Sequence, residues 1–494
     1  MKKSYAHEKV GFRVRAAAAL AAALLASVFA GCALGLPEGG GSVEMSFAPG
    51  AKAYGDGTAY VYLYRGNSLF RGPYTAGLTQ PDQYTRGTVR IDGIPPGKDY
   101  RLVVLREIDY GEGMGYSFAS PQDPISVRAG AESVVRVDEG DFRDVTLEFF
   151  SFMDGNSPME SPHVTSVAAL NDGSVFAVSG ESLFGIEPVY QLAKIDAKDQ
   201  SGNSVSLPPI NSLSVGTDAT GNHVYLNTRE GSFGYIQSDI FTSIYNPLGT
   251  NEVKKSASGS GSAPYDNCYV VKTPQSLVAW LSGYPTTIDL GLGRNIKDMV
   301  VYTPGAGQGW PSVWIATDSA GAFVLDRDVF PDNASEPINL SFDELRGESW
   351  YHHFSENEHW GSSMPRILSF GLDNSGSSPG LYIGTSSGLF KADTIDATGL
   401  GSDAILLEGT AGLGIEKIVV VDLNQSNSGV ACMTSSGVIL YNSQYDEVVR
   451  LPFLNLWVGE VTDIGLIVND FNNTLLYVAG TKGLLEMNVS SWLP

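Results

Sequence analysis

The sequence predicts an all-β fold in which a small β-sandwich precedes a seven-bladed β-propeller. Composition is the first observation: 57 Gly, 25 Pro, 23 Tyr and 21 Phe among 494 residues favour turns and strands over helices. The second is a β-hairpin pattern that recurs over residues 144–494 with a period near fifty residues. The third is a run of short strand patterns over residues 43–143. A chain of this length is expected to contain two or more domains.

The recurring hairpin is clearest at Leu381–Asp393, LYIGTSSGLFKAD. Apolar residues alternate along the segment from Leu381 to Thr385, which is the period of a strand. A Ser-Ser-Gly turn follows, in which Gly388 can take a positive φ that most residues avoid. The return strand begins at Leu389, so the segment predicts two antiparallel strands.

Six further copies of the hairpin occur, with drift. They are Val175–Phe184, Val224–Tyr235, Leu277–Ile288, Val313–Leu325, Val430–Tyr441 and Leu476–Met487. Their turn glycines and that of the first copy are Gly180, Gly231, Gly283, Gly321, Gly388, Gly437 and Gly483, at spacings of 51, 52, 38, 67, 49 and 46 residues. Another apolar strand and a turn rich in Asp, Asn and Gly precede most copies. About four strands per unit at this period predict a β-propeller, with six or eight blades as alternatives because the third unit is poor.

The segment Leu381–Phe390 resembles bacterial propeller repeats of the sensor-regulator and NHL-like kinds. In those repeats an Asp-x-x-Gly turn precedes a Leu-Trp/Tyr-Ile-Gly-Thr strand and a Gly-Leu-Phe/Tyr return. The resemblance covers about two thirds of the chain and implies the fold. It implies no particular activity, because propellers serve as enzymes, receptors and scaffolds alike.

Ring closure requires a fourth strand for the last unit, and few residues follow Met487. The strong strand pattern Val145–Phe152, VTLEFFSF, lies just before the first unit. We predict that it completes the last blade and thereby removes two exposed edges. The alternative makes it the last strand of the sandwich.

Residues 43–143 are predicted to form a β-sandwich because short strand patterns alternate with Pro- and Gly-rich turns. Within it, Val89–Val103, VRIDGIPPGKDYRLV, resembles transthyretin-like and carboxypeptidase-regulatory-like sandwiches of secreted bacterial proteins. That resemblance implies a stalk or spacer. We therefore expect a domain boundary near residues 143 and 144.

Residues 1–31 are predicted to be a lipoprotein signal peptide. Five Lys or Arg precede the apolar run Ala16–Ala30, which is too short for an ordinary membrane span. Gly31-Cys32 at its end resembles the lipobox of bacterial lipoproteins, which implies acylation of Cys32 and a lipid anchor in the membrane. The alternative is an ordinary secretory signal. In the lipoprotein prediction, residues 32–42 form a flexible tether between the anchor and the sandwich.

The charge of the chain argues against a nucleic-acid partner. The net charge is −23, and removal of residues 1–31 takes away five basic residues and one Glu, which gives −27. Two cysteines besides Cys32 occur, Cys268 and Cys432, in units that are not neighbours. We interpret both as small buried hydrophobic residues rather than a disulfide.

An insertion over Arg327–Met364 contains the leading candidate binding residues; a second aromatic loop, Tyr64 to Tyr84, could contact a partner but is expected to pack on its own sandwich. The insertion places aromatic and His side chains in one predicted loop, which we expect to form the wall of a ligand or partner site on one face of the ring. The residues are Trp350, Tyr351, His352, His353, His359 and Trp360. Their spacing matches no zinc motif, so no metal site is predicted.

No catalytic constellation is predicted. Two Gly-x-Ser-x-Gly matches centre on Ser378 and Ser386, but neither leads from a strand into a helix, as a nucleophile elbow does. No phosphate loop, Rossmann fingerprint or Cys-x-x-Cys occurs, so no cofactor is predicted.

The leading hypothesis from sequence is a non-catalytic, lipid-anchored protein of the bacterial cell envelope. It would bind a protein or an envelope polymer through loops on one propeller face, at the periplasmic side or the cell surface. The alternative is a hydrolase or lyase acting on carbohydrate or lactone at the mouth of the central channel. A less favoured third hypothesis is a relative of the propeller lipoprotein that assists outer-membrane protein assembly, whose quinoprotein-like Trp motif is missing from these repeats.

Overall fold

The structure is a computed structural model. It describes residues 40–47, 57–78, 88–109, 114–120, 124–151, 159, 161–170, 172–187, 191–218, 221–229, 233–237, 239–244, 255–258, 268–281, 284–291, 295–303, 312–318, 321–326, 338–341, 351–353, 365–374, 379–396, 399–424, 427–469 and 471–494.

Two sheets form the N-terminal part of the fold. A three-stranded sheet has the order Thr88–Ile94, Gly41–Phe47 and Glu132–Val137. The larger sheet has the order Ser68–Leu78, Gly57–Arg65, Gly97–Asp109, Met114–Ala119 and Arg143–Val145, and Ile125–Val127 also pairs with Gly97–Asp109. The two sheets share one apolar core, in which Val43 and Met45 of the first sheet meet Val61 and Val104 of the second.

The larger N-terminal sheet is buried on both faces. Val61 and Leu63 point into the core between the two N-terminal sheets. Tyr62 and Tyr64, which alternate with them, belong to a second core shared with the C-terminal third of the chain. Successive side chains of a strand point to opposite faces, so a strand covered on both sides is a continuous apolar run rather than an alternating one. The N-terminal part is therefore docked on the rest of the fold by an apolar face.

Within the described residues seven further sheets follow, antiparallel except for one added parallel strand in the third, and we number them ring sheets 1 to 7 along the chain. Ring sheet 1 consists of Val164–Ala169, Val175–Ser179, Ser182–Glu187 and Gln191–Lys194, and ring sheet 2 of Ile210–Asp218, Gly221–Thr228, Phe233–Gln237 and Ile240–Ile244. Ring sheet 3 consists of Ser256–Ser258, Cys268–Thr273, Ser276–Leu281 and Tyr284–Asp289, and Ile338–Ser341 joins it as a fifth strand. Ring sheet 4 consists of Ile296–Tyr302, Ser312–Thr317, Ala322–Asp326 and Tyr351–His353.

Ring sheets 5 to 7 complete the set. Ring sheet 5 consists of Ile367–Asp373, Gly380–Thr385, Gly388–Ala392 and Ile405–Leu406. Ring sheet 6 consists of Ile415–Asn424, Asn427–Thr434, Gly437–Asn442 and Glu447–Leu451. Ring sheet 7 consists of Val461–Val468, Thr474–Gly480, Gly483–Asn488 and Leu147–Ser151. A separate two-stranded sheet of Ile395–Asp396 and Gly399–Leu400 lies in the chain between the third and fourth strands of ring sheet 5, and the short α-helix Asn455–Val458 connects ring sheets 6 and 7.

The first strands of the ring sheets are neighbours in a closed cycle. Each contacts the first strand of the next sheet, and the first strand of ring sheet 7 contacts that of ring sheet 1. All seven line one central channel. Antiparallel sheets arranged in a closed cycle around a channel form a β-propeller, so the predicted all-β propeller is confirmed.

The ring closes through a strand that precedes it in sequence. Leu147–Ser151 pairs antiparallel with Gly483–Asn488 as the outer strand of ring sheet 7. Arg143–Val145, immediately before it, pairs with Met114–Ala119 of the larger N-terminal sheet. The predicted closing strand therefore begins at Leu147 and not at Val145. The chain passes directly from the N-terminal part into the closing sheet, which couples the two.

The closing strand contains a pair of like charges. Glu148 lies directly opposite Glu486, and like charges in this position destabilise a strand pair. Burial is the main cause that raises the pKa of Glu486; Glu148 raises it further, against a hydrogen bond from Tyr477 that lowers it. The folded chain thus holds this proton at a higher pH than the unfolded chain, so its contribution to stability falls as the pH rises above the ordinary Glu range.

Glu486→Gln is expected to raise the free energy of unfolding by about 1 kcal/mol at pH 8, because it removes both the repulsion and the buried charge. The substitution should also flatten the decline in stability between pH 5 and pH 8, measured by urea unfolding. Glu416→Gln, at an exposed position of ring sheet 6, is the control and should leave the slope unchanged. An unaltered pH slope in Glu486→Gln would contradict this assignment.

Threonine side chains fix the hairpins that the sequence analysis recognised. In ring sheet 5 the Thr385 hydroxyl donates to the Gly388 carbonyl at 2.9 Å and accepts from the Ser387 amide at 3.0 Å. In ring sheet 6 the Thr434 hydroxyl donates to the Gly437 carbonyl at 2.9 Å. The φ values of these glycines, 145° and 122°, are positive, which explains why Gly recurs at the turn.

The third unit differs from its predicted register. The segment Leu277–Ile288 forms the third and fourth strands of ring sheet 3, not the second and third. The second strand is Cys268–Thr273, and the turn that follows it contains Pro274. The prediction that Gly283 marks the equivalent turn was therefore wrong.

Candidate functional site

The structure describes three of the six residues that the sequence suggested as a binding wall. Tyr351–His353 form a strand that pairs with Phe323–Leu325 as the outermost strand of ring sheet 4. Trp350, His359 and Trp360 lie outside the described residues. The six-residue wall therefore stays a prediction, with its central part at the outer edge of a sheet.

Two other predicted positions lie in the described part. Ser386 lies in the turn between two strands, Gly380–Thr385 and Gly388–Ala392, as the sequence predicted. Cys432 is a free, buried cysteine, and burial raises the pKa of its thiol. The thiol is therefore packed as a small hydrophobic group. The side chain of Cys268, as well as Cys32 and Ser378, lies outside the described residues.

The central channel has a volume of about 530 Å³ and is lined by the first strands of all seven ring sheets. Its size is that of an ordinary small-molecule site. What it could do chemically depends on the polar groups along its wall.

A ring of polar side chains lies where the first strands begin. In six ring sheets the third residue of the first strand is polar, and a bulge in the strand pairing precedes it. A bulge turns a side chain out of the ordinary alternation. These residues are Ser166, Ser212, Asp298, Ser369, Lys417 and Asp463. Sequence analysis missed them, although each stands two residues after the Val or Ile that opens its strand.

Asp463 connects the last ring sheet to the first. Its Oδ2 accepts hydrogen bonds from the Ser166 hydroxyl at 2.7 Å and from the Val167 amide at 3.0 Å. Its Oδ1 accepts from its neighbour's amide, Ile464, at 2.9 Å and forms an ion pair with Lys417 of ring sheet 6. One buried carboxylate thus joins three consecutive ring sheets.

Asp298 has the equivalent role on the other side of the channel. Its Oδ2 accepts from the Phe370 amide of ring sheet 5 at 2.9 Å. Its Oδ1 accepts from the Met299 amide at 2.8 Å and forms an ion pair with Lys255 at the start of ring sheet 3. These two buried carboxylates therefore have their oxygens committed to hydrogen bonds and lysines, an arrangement that holds sheets together rather than transferring protons.

Two of the three serines, Ser166 and Ser369, continue the same pattern. The Ser166 hydroxyl accepts from the Leu213 amide of ring sheet 2 at 3.0 Å, and the Ser369 hydroxyl donates to the Ile415 carbonyl of ring sheet 6 at 3.0 Å. The polar ring therefore links neighbouring first strands side by side, where no strand pairing occurs.

The other end of the channel opens on the face that carries the turns between first and second strands and between third and fourth strands. We call this face the turn face, and the opposite one the hairpin face. Two exposed aromatic side chains lie on it, Phe471 in ring sheet 7 (85% exposed) and Tyr445 in ring sheet 6 (59% exposed).

Side chains in the turns fix the backbone around both aromatics. Asn469 Oδ1 accepts from the amides of Phe471 at 3.0 Å and Asn473 at 2.9 Å. The Tyr441 hydroxyl donates to Asp446 at 3.1 Å, next to Tyr445. The aromatics are therefore presented on ordered turns.

Asp373 ends the first strand of ring sheet 5 on the turn face, and Asp422 lies near the end of the first strand of ring sheet 6. The Ser428 hydroxyl donates to Asp373 at 3.1 Å and shares a hydrogen bond of 2.8 Å with the Tyr382 hydroxyl. Partial burial and, second, the Asp373 carboxylate raise the pKa of Asp422. Lys391 reaches Asp373 at only 3.9 Å and Asp393 at 3.1 Å. Asp373 and Asp422 therefore lie near each other on the turn face of neighbouring ring sheets.

Among the described residues, no group of three or more His, Cys, Asp or Glu side chains is arranged to hold a metal ion. Within the same part of the chain, no helix has the length and apolar character needed to cross a bilayer.

No protein-family model matches this chain. No curated protein matches it either. Solved structures do match. The crystal structure of BBS1N in complex with ARL6DN is 10% identical, covers 69% of this chain and 85% of its own, and has a TM-score of 0.37. The extracellular domain of the putative one component system BT4673 from B. thetaiotaomicron is 9% identical, with coverages of 79% and 56% and a TM-score of 0.41.

The WD40 β-propeller domain of Doa1 is 10% identical, with coverages of 70% and 99% and a TM-score of 0.41. At these values the likenesses carry no argument about function. The assignment of the fold rests on the sheet order and the closed cycle of first strands.

Proposed function

We propose that this chain is a non-catalytic, lipid-anchored binding protein of the bacterial cell envelope. Its ring sheets would be the blades of a seven-bladed propeller, and residues 43–143 would be a transthyretin-like sandwich domain. The propeller would bind a protein or an envelope polymer through the loops of one face. The anchor would be Cys32 at the mature N-terminus, after removal of residues 1–31.

The observation that carries the binding role is the pair of exposed aromatics on the turn face. The two buried carboxylates of the channel wall, Asp298 and Asp463, have their oxygens hydrogen-bonded to backbone amides and paired with lysines between sheets, which is a structural role. The exposed aromatics of the turn face, Tyr445 and Phe471, instead supply the kind of side chain that dominates protein interfaces.

The lipid anchor is tested by metabolic labelling with an alkyne analogue of palmitate. The wild-type chain is expected to be labelled and to sediment with membranes. Cys32→Ala is expected to lose essentially all label, because the acylated sulfur is removed, whereas Cys432→Ala should keep it. Equal labelling of wild type and Cys32→Ala would overturn the anchor.

The binding role is tested by photo-cross-linking in intact cells. A photoreactive amino acid at Phe471 or, on the opposite face, at Glu416 should give a discrete cross-linked species from one face. Failure of both positions, together with turnover of a sugar or lactone panel by the purified chain, would overturn the proposal and favour an enzyme.

A further inference from the structure

One wall of the central channel is more polar than the rest. Beyond the polar ring, the described residues that line the channel are apolar or Gly in ring sheets 1 and 4 to 7. Ring sheet 2 contributes Ser214 to this part of the lining, and ring sheet 3 contributes Ser256, next to Lys255. We call Ser214, Lys255 and Ser256 the polar wall. Its three side chains belong to two neighbouring ring sheets and face one cavity.

The Lys255 ammonium has hydrogen atoms left for a ligand. It forms an ion pair with Asp298 Oδ1, and its side chain is 35% exposed. An ammonium group has three donors, so this contact leaves two of them. The Asp298 carboxylate also accepts from the backbone amides of Met299 and Phe370, so its charge is shared among three donors. The positive charge of Lys255 is therefore incompletely compensated.

The Ser214 hydroxyl is oriented from behind the channel lining. Asn227, which is fully buried in the second strand of ring sheet 2, donates from its side-chain amide to the hydroxyl oxygens of Ser212 and Ser214, each at 3.0 Å. A hydroxyl oxygen that accepts in this way keeps its own hydrogen for another acceptor. Because Ser214 is only half-buried and lines the channel, that hydrogen can be donated to a molecule inside it.

Ser256 is the unpartnered member of the polar wall. Its side chain is 3% exposed, and its hydroxyl has no hydrogen-bond partner among the described residues. A buried hydroxyl without a partner is unfavourable. A molecule in the channel that carries hydroxyl groups of its own can supply the missing hydrogen bond.

We propose that the polar wall binds a small polyhydroxylated carboxylate, the class to which sugar acids belong, inside the channel. The carboxylate would accept from Lys255, and hydroxyls of the ligand would pair with Ser214 and Ser256. The wall contains an ammonium group and two hydroxyls but no carboxylate, so it favours an oxygen-rich anion over a cation. The channel volume of about 530 Å³ accommodates a hexose. This site goes beyond the proposed function, which places a macromolecular partner on the loops of one face.

The probes are three hexose derivatives of similar size, D-glucuronate, D-glucose and D-glucosamine, each titrated into the purified chain by calorimetry. Glucuronate is expected to bind with a dissociation constant of about 1 mM. Glucose, which has the hydroxyls without the charge, should bind about tenfold more weakly, because the charge-assisted hydrogen bond to Lys255 is lost. Glucosamine, which carries a positive charge, should bind more weakly still.

Lys255→Met is the test and Lys417→Met the matched control. Both lysines line the channel, and each pairs with an aspartate of the next ring sheet. Lys417, however, is followed by Ile418 and Val419 rather than by a serine. Both variants should lower the urea midpoint to a similar extent. Lys255→Met is expected to weaken glucuronate binding at least about tenfold, and Lys417→Met by about twofold or less.

The serines provide a milder pair of variants that leave the ion pairs intact. Ser214→Ala and Ser256→Ala are each expected to weaken glucuronate binding about threefold, because each removes one hydrogen-bonding group. Their circular dichroism spectra should equal that of the wild type. The proposal is thus testable even if Lys255→Met does not fold.

Absence of glucuronate binding up to about 20 mM would overturn the assignment, since water alone would then serve the polar wall. Equal affinity for glucosamine, or equal losses in the two lysine variants, would overturn it as well. These outcomes are independent of the proposed function, because cross-linking from Phe471 or Glu416 reports on the faces of the ring and glucuronate titration reports on the channel.

Discussion

Asp463→Ala is expected to lower the free energy of unfolding by about 3 kcal/mol. Asp463 is buried and accepts hydrogen bonds from Ser166 and Val167 of ring sheet 1. Removal of the carboxylate leaves those donors without an acceptor and deprives Lys417 of its ion-pair partner. Because Lys417 is 29% exposed, water recovers part of the loss, and we place the value at the lower end for a broken buried pair.

The measurement is equilibrium unfolding in urea, followed by circular dichroism and intrinsic fluorescence. Glu416→Ala is the matched control: it removes an exposed carboxylate from the neighbouring first strand and should change stability by less than about 0.5 kcal/mol. Asp463→Asn keeps one carbonyl acceptor and should fall between the two. A loss below about 1 kcal/mol in Asp463→Ala would show that this junction does not hold the ring closed.

The hairpins and the closing strand could be predicted because their signals are local. The alternation in Leu381–Asp393 and the glycine at position 388 follow from strand geometry and turn conformation, and both are present in the structure. The closing strand was predictable because a ring with an unpaired edge needs one more strand from somewhere.

Pairing between distant segments could not be predicted. Ile338–Ser341 lies in the insertion Arg327–Met364 but pairs in parallel with Tyr284–Asp289 of ring sheet 3. A single sequence contains no record of which strand edge a segment joins. The prediction for ring sheet 3 was wrong for a related reason, because its second strand, Cys268–Thr273, is not followed by the Gly-Leu pattern that begins the third strand in other units.

The candidate site was predictable only in part. Tyr351–His353 were singled out by residue type, but residue type does not place a segment in a sheet. The polar ring was missed because one Ser, Asp or Lys after an apolar residue is unremarkable in any one strand. The polar ring is recognisable only when the six first strands are compared and the bulge is found at the same position in each.

Strands whose residues are apolar without alternation indicated that the N-terminal part packs against the ring, and this signal was missed. Ala59–Tyr64 and Tyr100–Leu105 lie within the predicted sandwich, and both faces of these strands are buried. The junction also contains polar contacts. The guanidinium of Arg450, buried in ring sheet 6, donates to the Asn67 side chain and to the Gly409 carbonyl at 2.7 Å, and burial lowers its pKa to about 10.

Phe118→Ala is expected to lower the free energy of unfolding by about 3–4 kcal/mol, the range for truncation of a fully buried aromatic. Phe118 is 1% exposed and projects from the larger N-terminal sheet. Its ring lies 5.0 Å from that of Phe453 and meets Trp492 edge-on at 5.4 Å. The contact therefore joins the N-terminal part to ring sheet 6 and to the last residues of the chain.

Loss of the contact should also uncouple the two parts of the fold. Trp457 and Trp492, two of the seven tryptophans of the chain, lie at this junction, so its opening changes part of the tryptophan fluorescence, whereas far-ultraviolet circular dichroism reports on all sheets. The two unfolding curves should coincide in the wild-type chain and separate in Phe118→Ala, with fluorescence changing at lower urea. Leu69→Ala, at a partly exposed residue of the same N-terminal sheet, should shift neither curve by more than about 0.5 kcal/mol. Coincident curves in Phe118→Ala would mean that the remaining contacts, including the strand link through Leu147–Ser151, suffice to couple the N-terminal part to the ring.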